Sequence, residues 1–204
     1  MSITFYYAPM SSATRVHWAL EELGIPYEKV KVNLAEKEQK RPEYLALNPN
    51  GKVPTLVVDG KPMFESLAML LFLGEEYGVD KGLFPKAGAA RADAFTWMAW
   101  ASVSVHDIIV RLIKNGERVP EEQRNAKARE AAIAEAHDHL AVLDAHLAGK
   151  EYILGDTFTL ADCASASFVP FLGRLGVDSG KYANIQAWVG RCMTRPALGR
   201  AMQG

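Results

Sequence analysis

Two periods of hydrophobic and polar residues run along the chain, and they divide it. Residues 1 to about 78 alternate between strand-like and helix-like spacing, whereas the rest carries helical spacing alone. ITFYY, residues 3–7, is a β-rich run that stops at Ala8-Pro9. SSATRVHWALEELG then supplies serines for a cap, places Val16, Leu20 and Leu23 on one helical face, and ends at Gly24. After Pro26, YEKVKVNL sets Val30 and Val32 on one side and Lys29 and Lys31 on the other, the period-two pattern of a strand with one buried face. A polar segment, AEKEQKRPEYLALNPNG, leaves room for one or two helical turns. VPTLVV and KPMF are strands joined by Asp59-Gly60, a dipeptide that favours tight hairpins. Ser66 is placed to cap the apolar helix LAMLLFLGEEYG.

Strand, helix and strand in succession imply a parallel pair with a right-handed crossover, and the following hairpin is antiparallel. The order βαβ-α-ββα therefore predicts a small mixed sheet covered by helices, a thioredoxin-like arrangement. Beyond it, residues 89–114 and 121–148 read as long Ala-rich amphipathic helices separated by Asn115-Gly116 and Val119-Pro120. TLADCASASFVPFLGRL and NIQAWVGRCMTR add further helices, and DTFTLAD carries a capping box with Thr159 as cap and Asp162 three residues on. The predicted class is α+β: a thioredoxin-like domain over 1–78, a linker over 79–88, and an all-α helical bundle over 89–204.

Composition narrows the function more than the fold. The 204 residues are 49% hydrophobic and 23% charged, with a formal net charge of -1. Both signs are interspersed, which argues against a nucleic-acid groove or a membrane-surface patch and leaves small molecules or other proteins as partners. MSITFYYAPMSS lacks the layout of a secretory signal, and the longest apolar run, LAMLLFL at 67–73, is too short to span a bilayer, so a cytoplasmic location is expected. Cys163 and Cys192 allow at most one bridge, no CxxC pair occurs, and no His/Asp/Glu grouping has metal spacing. No metal is expected.

Three stretches carry candidate chemistry. Val53-Pro54 lies between a Gly-Lys loop and a strand, where proline is tolerated as a plain strand start. The same place suits a cis bond, which would leave the Val53 N–H and C=O free for an extended peptide ligand. Phe64-Glu65-Ser66 opens a helix whose hydroxyl and first N–H groups suit a carboxylate, while Glu65 suits an ammonium; together they match the head of an α-amino acid. Simple capping would also explain both residues. At the first strand-helix turn, one of Ser11 and Ser12 caps and the other is left to face a ligand. His17 shares their helix, but no partnered acid is evident, so the hydroxyl reads as a donor rather than a nucleophile.

In order and spacing, NPNGKVPTLVVDG, FESLAMLLFL, KGLFP and GDTFTLADC resemble the cytosolic glutathione transferases over essentially the whole chain. The resemblance implies an enzyme that conjugates the glutathione thiolate to small hydrophobic electrophiles, with glutathione as co-substrate. It implies that Val53, beside Pro54, holds the cysteinyl part, that Glu65 and Ser66 hold the γ-glutamyl head, and that Gln39, Lys40 and Lys52 lie near the glycyl carboxylate. In the plainer reading those last three are solvated loop residues. For the activating group it implies Ser11 by theta-like spacing from Arg15, Ser12 by beta-like spacing from Pro9, or Tyr7 by analogy with alpha, mu and pi enzymes, ranked in that order. Ala13 stands where zeta members have cysteine, and Ser12 where beta members do, which argues against isomerase and reductive chemistry. Trp100, Val103 and His106 are the candidates for the electrophile site, although Trp97 and Trp100 also suit core packing and Asp107 replaces a lysine beside His106. A glutathione-dependent isomerase or dehalogenase and a non-catalytic ligand-binding protein of the same fold are the alternatives. A homodimer is implied, without an aromatic key before Gly51, where Asn50 stands.

Overall fold

The computed structural model describes residues 1–117 and 119–203; Arg118 and Gly204 lie outside the described residues. It forms two compact units, residues 1–86 together with 194–203, and residues 87–193.

The first unit is built on β1 (Ile3–Tyr7), α1 (Ala13–Leu23), β2 (Glu28–Lys31), α2 (Pro42–Leu45), β3 (Thr55–Val58), β4 (Lys61–Met63) and α3 (Ser66–Leu73). Sheet order is β2-β1-β3-β4, with β1/β2 parallel and β1/β3 and β3/β4 antiparallel. This is the mixed βαβ-α-ββα sheet that the alternating periods imply. Phe5, Val16, Leu20 and Leu56 are 0% exposed, so the apolar faces of β1, β3 and α1 meet as their spacing requires. Gly24 ends α1 in a left-handed turn, its N–H donating to Leu20 O at 3.0 Å.

Two details depart from the sequence pattern. Val32 is buried, but Val30 is 40% exposed and all four β2 residues face solvent. β2 is an edge strand paired only with β1, so alternation alone did not guarantee it a cover. Ser66 does not cap α3; it is the first helical residue, and Glu65 occupies the cap position with no side-chain cap bond.

The first unit also takes in segments that the sequence left outside 1–78. A π-helical turn, Gly74–Gly78, is followed by a chain that folds back so that Phe84, 3% exposed, lies against both glycines. A Cβ on Gly74 would fall 2.6 Å from the Phe84 ring, which is why glycine stands there. Residues 194–203 return to this unit with a short helix, Pro196–Met202, that the sequence reading did not single out and that buries Ala197, Leu198 and Ala201. Charge also ties it to α1: Arg195 Nε and Nη2 bond the two Glu22 carboxylate oxygens at 2.6 and 2.7 Å, and Arg200 bonds Glu21 at 2.6 Å.

The second unit is all helical: α4 (Ala89–Trp100), α5 (His106–Lys114), α6 (Ala126–Leu147), α7 (Leu160–Ser165), α8 (Phe168–Arg174) and α9 (Ala183–Met193), the Pro196–Met202 helix being α10. A π-helical turn, Ala101–Val105, joins α4 to α5 without a break. α6 starts later than residue 121 because Asn125 is its cap, accepting from Ala128 N at 3.0 Å; a 3-10 turn fills Glu121–Gln123. The capping box at α7 is present as the spacing implies. Asp162, 0% exposed, also accepts from Ile153 N at 2.9 Å and Trp188 Nε1 at 2.8 Å. Burial pushes its carboxyl pKa up, against the pull of these donors. Cys163 and Cys192 are buried, and neither is in a disulfide. Among the described residues no helix is long and apolar enough to cross a membrane.

Candidate functional site

The loop from Asn48 to Pro54 is fixed by side chains the sequence reading did not single out. Tyr44 Oη donates to Lys52 O at 2.7 Å and lies 2.8 Å from Thr55 Oγ1, while Asn48 Nδ2 donates to Lys52 O at 2.8 Å and to Thr55 Oγ1 at 3.1 Å. Asn48 Oδ1 also accepts from Asn50 N at 3.1 Å, an Asx-type turn. Asn48, Tyr44 and Thr55 are at most 5% exposed, so this is a satisfied buried polar network that holds one backbone shape. The only local signal was the Asn-Pro-Asn-Gly turn chemistry; Tyr44 and Thr55 come from α2 and β3.

The shape so held ends in a cis Val53-Pro54 bond, one of the two readings the sequence left open. Among the described residues the Val53 N–H has no hydrogen-bond partner. Its carbonyl differs from expectation: it accepts from Ser12 Oγ at 3.3 Å.

That contact separates the two serines. Ser11 Oγ donates to Ala8 O at 2.7 Å and accepts from Ala13 N at 3.1 Å, so its hydroxyl closes the turn into α1. Ser12 makes no side-chain cap bond and reaches across to the Val53 loop. Tyr7 is 6% exposed, stacked on Phe5 at 5.7 Å and 5.3 Å from the His17 ring. His17 does have an indirect acid, since its Nε2 lies 2.8 Å from Tyr27 Oη, which donates to Glu21. Neither serine belongs to that chain, so no nucleophilic triad forms. Burial and Lys29 hold the His17 pKa below its ordinary value, against Glu21 and the Ala201 backbone.

Glu65 has φ 71 and ψ 111, a backbone that side-chain-bearing residues rarely adopt, and its carboxylate is exposed. The Met69 N–H is the first of α3 to bond back, to Glu65 O at 3.1 Å, which leaves the N–H groups of 66–68 and the Ser66 hydroxyl without partners among the described residues. An exposed carboxylate and a set of unpartnered donors thus stand on adjacent residues. Arg15, 3% exposed on α1, was used by the sequence reading only as a spacing marker. Burial lowers its pKa to about 10 while the Glu65 charge raises it, so the guanidinium is an electrostatic neighbour of that carboxylate. Its one sequence signal is an arginine amid apolar helix positions.

Gln39 and Lys40 are brought to the other side of the loop. Lys40 Nζ donates to Asn50 O at 3.2 Å, and a Cβ on Gly51, at φ +56, would fall 2.7 Å from Lys40 Nζ and 2.8 Å from Gln39 O. Gln39 Oε1 is buried with no partner among the described residues. Lys52 extends an exposed side chain from the same loop.

In the second unit Trp100 is half-buried, stacked on His139 at 5.7 Å, and Trp97 lies 5.2 Å from it and 3.9 Å from the His146 ring. Val103 is 64% exposed and His106 half-buried. The π turn widens the helix between Trp100 and His106, so spacing counted on a regular helix does not give their relative faces. Asp107 is tied to Arg111 at 2.8 Å, and Arg111 to Glu135 at 2.7 Å.

Both units match known families. Residues 1–75 fit the family model described as glutathione S-transferase, N-terminal domain, and residues 102–196 the C-terminal domain of the same family. The glutathione S-transferase GstB of Escherichia coli K12 is 33% identical over 190 residues, covering 92% of this chain and 91% of that protein. Glutathione S-transferase F10 of Arabidopsis thaliana is 32% identical, covering 97% and 94%. A glutathione transferase from Burkholderia graminis, solved with two glutathione molecules bound per subunit, superposes with a TM-score of 0.91 at 31% identity, over 100% of this chain and 88% of its own. A theta-class enzyme from Xanthomonas axonopodis pv. citri, solved with glutathione, gives 0.86 at 32%, over 100% and 98%. The chain belongs to the glutathione S-transferase family, and it is a glutathione transferase with glutathione as co-substrate.

Proposed function

We propose that the protein conjugates the glutathione thiolate to small hydrophobic electrophiles, with Ser12 as the activating hydroxyl. The observation that carries this reading is the Ser12 Oγ to Val53 O contact of 3.3 Å beside an unpartnered Val53 N–H. The cysteinyl backbone would pair with the Val53 edge, and its sulfur would then lie within reach of the same hydroxyl. On binding, Ser12 exchanges a long bond to a carbonyl for one to a thiolate, a charge-assisted bond that favours the ionised sulfur. Ser11 is already bonded at both hydroxyl functions, and Tyr7 is packed in rings, so both rank behind Ser12.

Glu65 would take the γ-glutamyl ammonium, and Ser66 with the open N–H groups of α3 its carboxylate. Gln39, Lys40 and Lys52 would surround the glycyl carboxylate. The thiolate attacks the electrophilic carbon, the C–S bond forms, and the leaving group or a protonated adduct departs. Trp100, Val103 and His106 remain the candidates for the electrophile wall. With serine in place of cysteine at the turn, conjugation is favoured over mixed-disulfide chemistry. A cytoplasmic homodimer is the assembly and location the family resemblance supports.

Calorimetry with glutathione, followed by conjugation assays against aryl halides and epoxides, tests the proposal. Binding with turnover supports it. Binding with turnover only of disulfides would replace conjugation by redox exchange. The stoichiometry should be recorded as well, because the Burkholderia relative carries two glutathione molecules per subunit.

A further inference from the structure

Ser165, the last residue of α7, is 2% exposed, and its Oγ has no hydrogen-bond partner among the described residues. A helical serine commonly turns its hydroxyl back to a carbonyl one turn earlier. This one instead lines a small, mostly apolar cavity inside the helical unit, walled by Trp100, Ile108, Leu140 and Phe168, with the His139 imidazole and the Trp100 indole as the other residues that carry polar side-chain atoms. His139 Nδ1 lies 3.0 Å from Glu135 O. A carbonyl can only accept, so Nδ1 carries a proton, and in that tautomer Nε2 is an acceptor.

The space admits about one water-sized molecule, too little for an aromatic or branched ligand. A purely apolar cavity of this size stays dry, but one lined by an unpartnered buried hydroxyl and by an imidazole carries the side chains from which a water draws polar partners. We propose that the cavity is a built site for a single buried water, which accepts from Ser165 Oγ and donates to His139 Nε2. The water ties α7 to α6 and fixes the imidazole plane on which Trp100 stacks, at 5.7 Å and 23°. It is therefore a structural ligand behind a residue proposed for the electrophile wall, and its presence does not depend on that proposal.

Oxygen-17 relaxation dispersion on the wild type and on Ser165→Ala counts long-lived internal waters. Alanine suits a helix and removes only the hydroxyl, so the variant folds. The expected result is one fewer long-lived water in Ser165→Ala, a lower melting temperature, and a shifted Trp100 indole N–H resonance. Equal water counts with a higher melting temperature would mark a dry cavity relieved of an unpaired hydroxyl, and would overturn the proposal. A high-resolution crystal structure gives a second reading: an ordered water within hydrogen-bond distance of Ser165 Oγ supports the site, and clear density without one refutes it.

Discussion

Replacing Ser12 by alanine removes one hydroxyl from the first strand-helix turn and leaves Ser11 to close that turn through Ala8 O and Ala13 N. A hydrogen bond to a charged partner is worth roughly 1.5 to 3 kcal/mol, and about 1.36 kcal/mol corresponds to one pKa unit, so the bound thiol should become harder to ionise by about one to two units. The bond given up in the resting protein is 3.3 Å, at the long end of the range, so little of the gain is offset. The pH profile of kcat/KM with an aryl halide reads the shift. Ser12→Ala should be roughly ten- to fiftyfold slower than wild type near pH 6.5 and approach it above about pH 9, where the ~8.5 thiol ionises unaided. Ser11→Ala should do the opposite: about 1 kcal/mol less stable through the lost turn bond, with its pH profile in place. A displaced profile for Ser11→Ala and an unmoved one for Ser12→Ala would refute the division of roles drawn from the two hydroxyls.

Glu65→Ala should weaken glutathione binding by more than about 1 kcal/mol through loss of the ammonium's charged partner, with melting little changed because the carboxylate is exposed; unchanged affinity in calorimetry would contradict the head-group assignment. Tyr44→Phe leaves Lys52 O and Thr55 Oγ1 each short of a buried bond. It should cost about 1 to 3 kcal/mol in denaturant unfolding and loosen glutathione, and normal stability with normal affinity would show that the network does not hold the loop. His17 binds its proton less tightly folded than unfolded, so below the ordinary value near 6.5 the unfolded chain takes up a proton that the buried ring resists. Its contribution is present at neutral pH and lost as pH falls, and a His17→Gln variant should show a flatter loss of melting temperature between about pH 7.5 and 5.5.

What was legible in the sequence was chiefly local. Gly24, the Thr159-Asp162 box and the β-rich runs each depend on residues within a turn or a strand of one another, and each takes the expected form. The choice between Ser11 and Ser12 was also local, yet it was degenerate: adjacent hydroxyls satisfy the same cap pattern, and only the position of the Val53 carbonyl, 41 residues on from Ser12, distinguishes them. The Tyr44-Asn48-Thr55 network was hidden because each member has an ordinary local role in turn, helix or strand. The α10 helix was hidden for a stronger reason. It buries Ala197, Leu198 and Ala201, but seven residues are too few to display a helical period, and its charged partner lies 173 residues away in the Arg195-Glu22 pair, which no local pattern records. Val30 illustrates the converse, a pattern that specifies two faces without specifying what covers either.

The central claim is that this chain lowers the pKa of glutathione's thiol. Titrating thiolate absorbance of glutathione bound to the wild-type protein tests it most directly. Half-ionisation about one to two units below the free value of ~8.5 is the predicted result. A bound thiol that ionises with the free one, under conditions where calorimetry shows saturation, would contradict activation at this site.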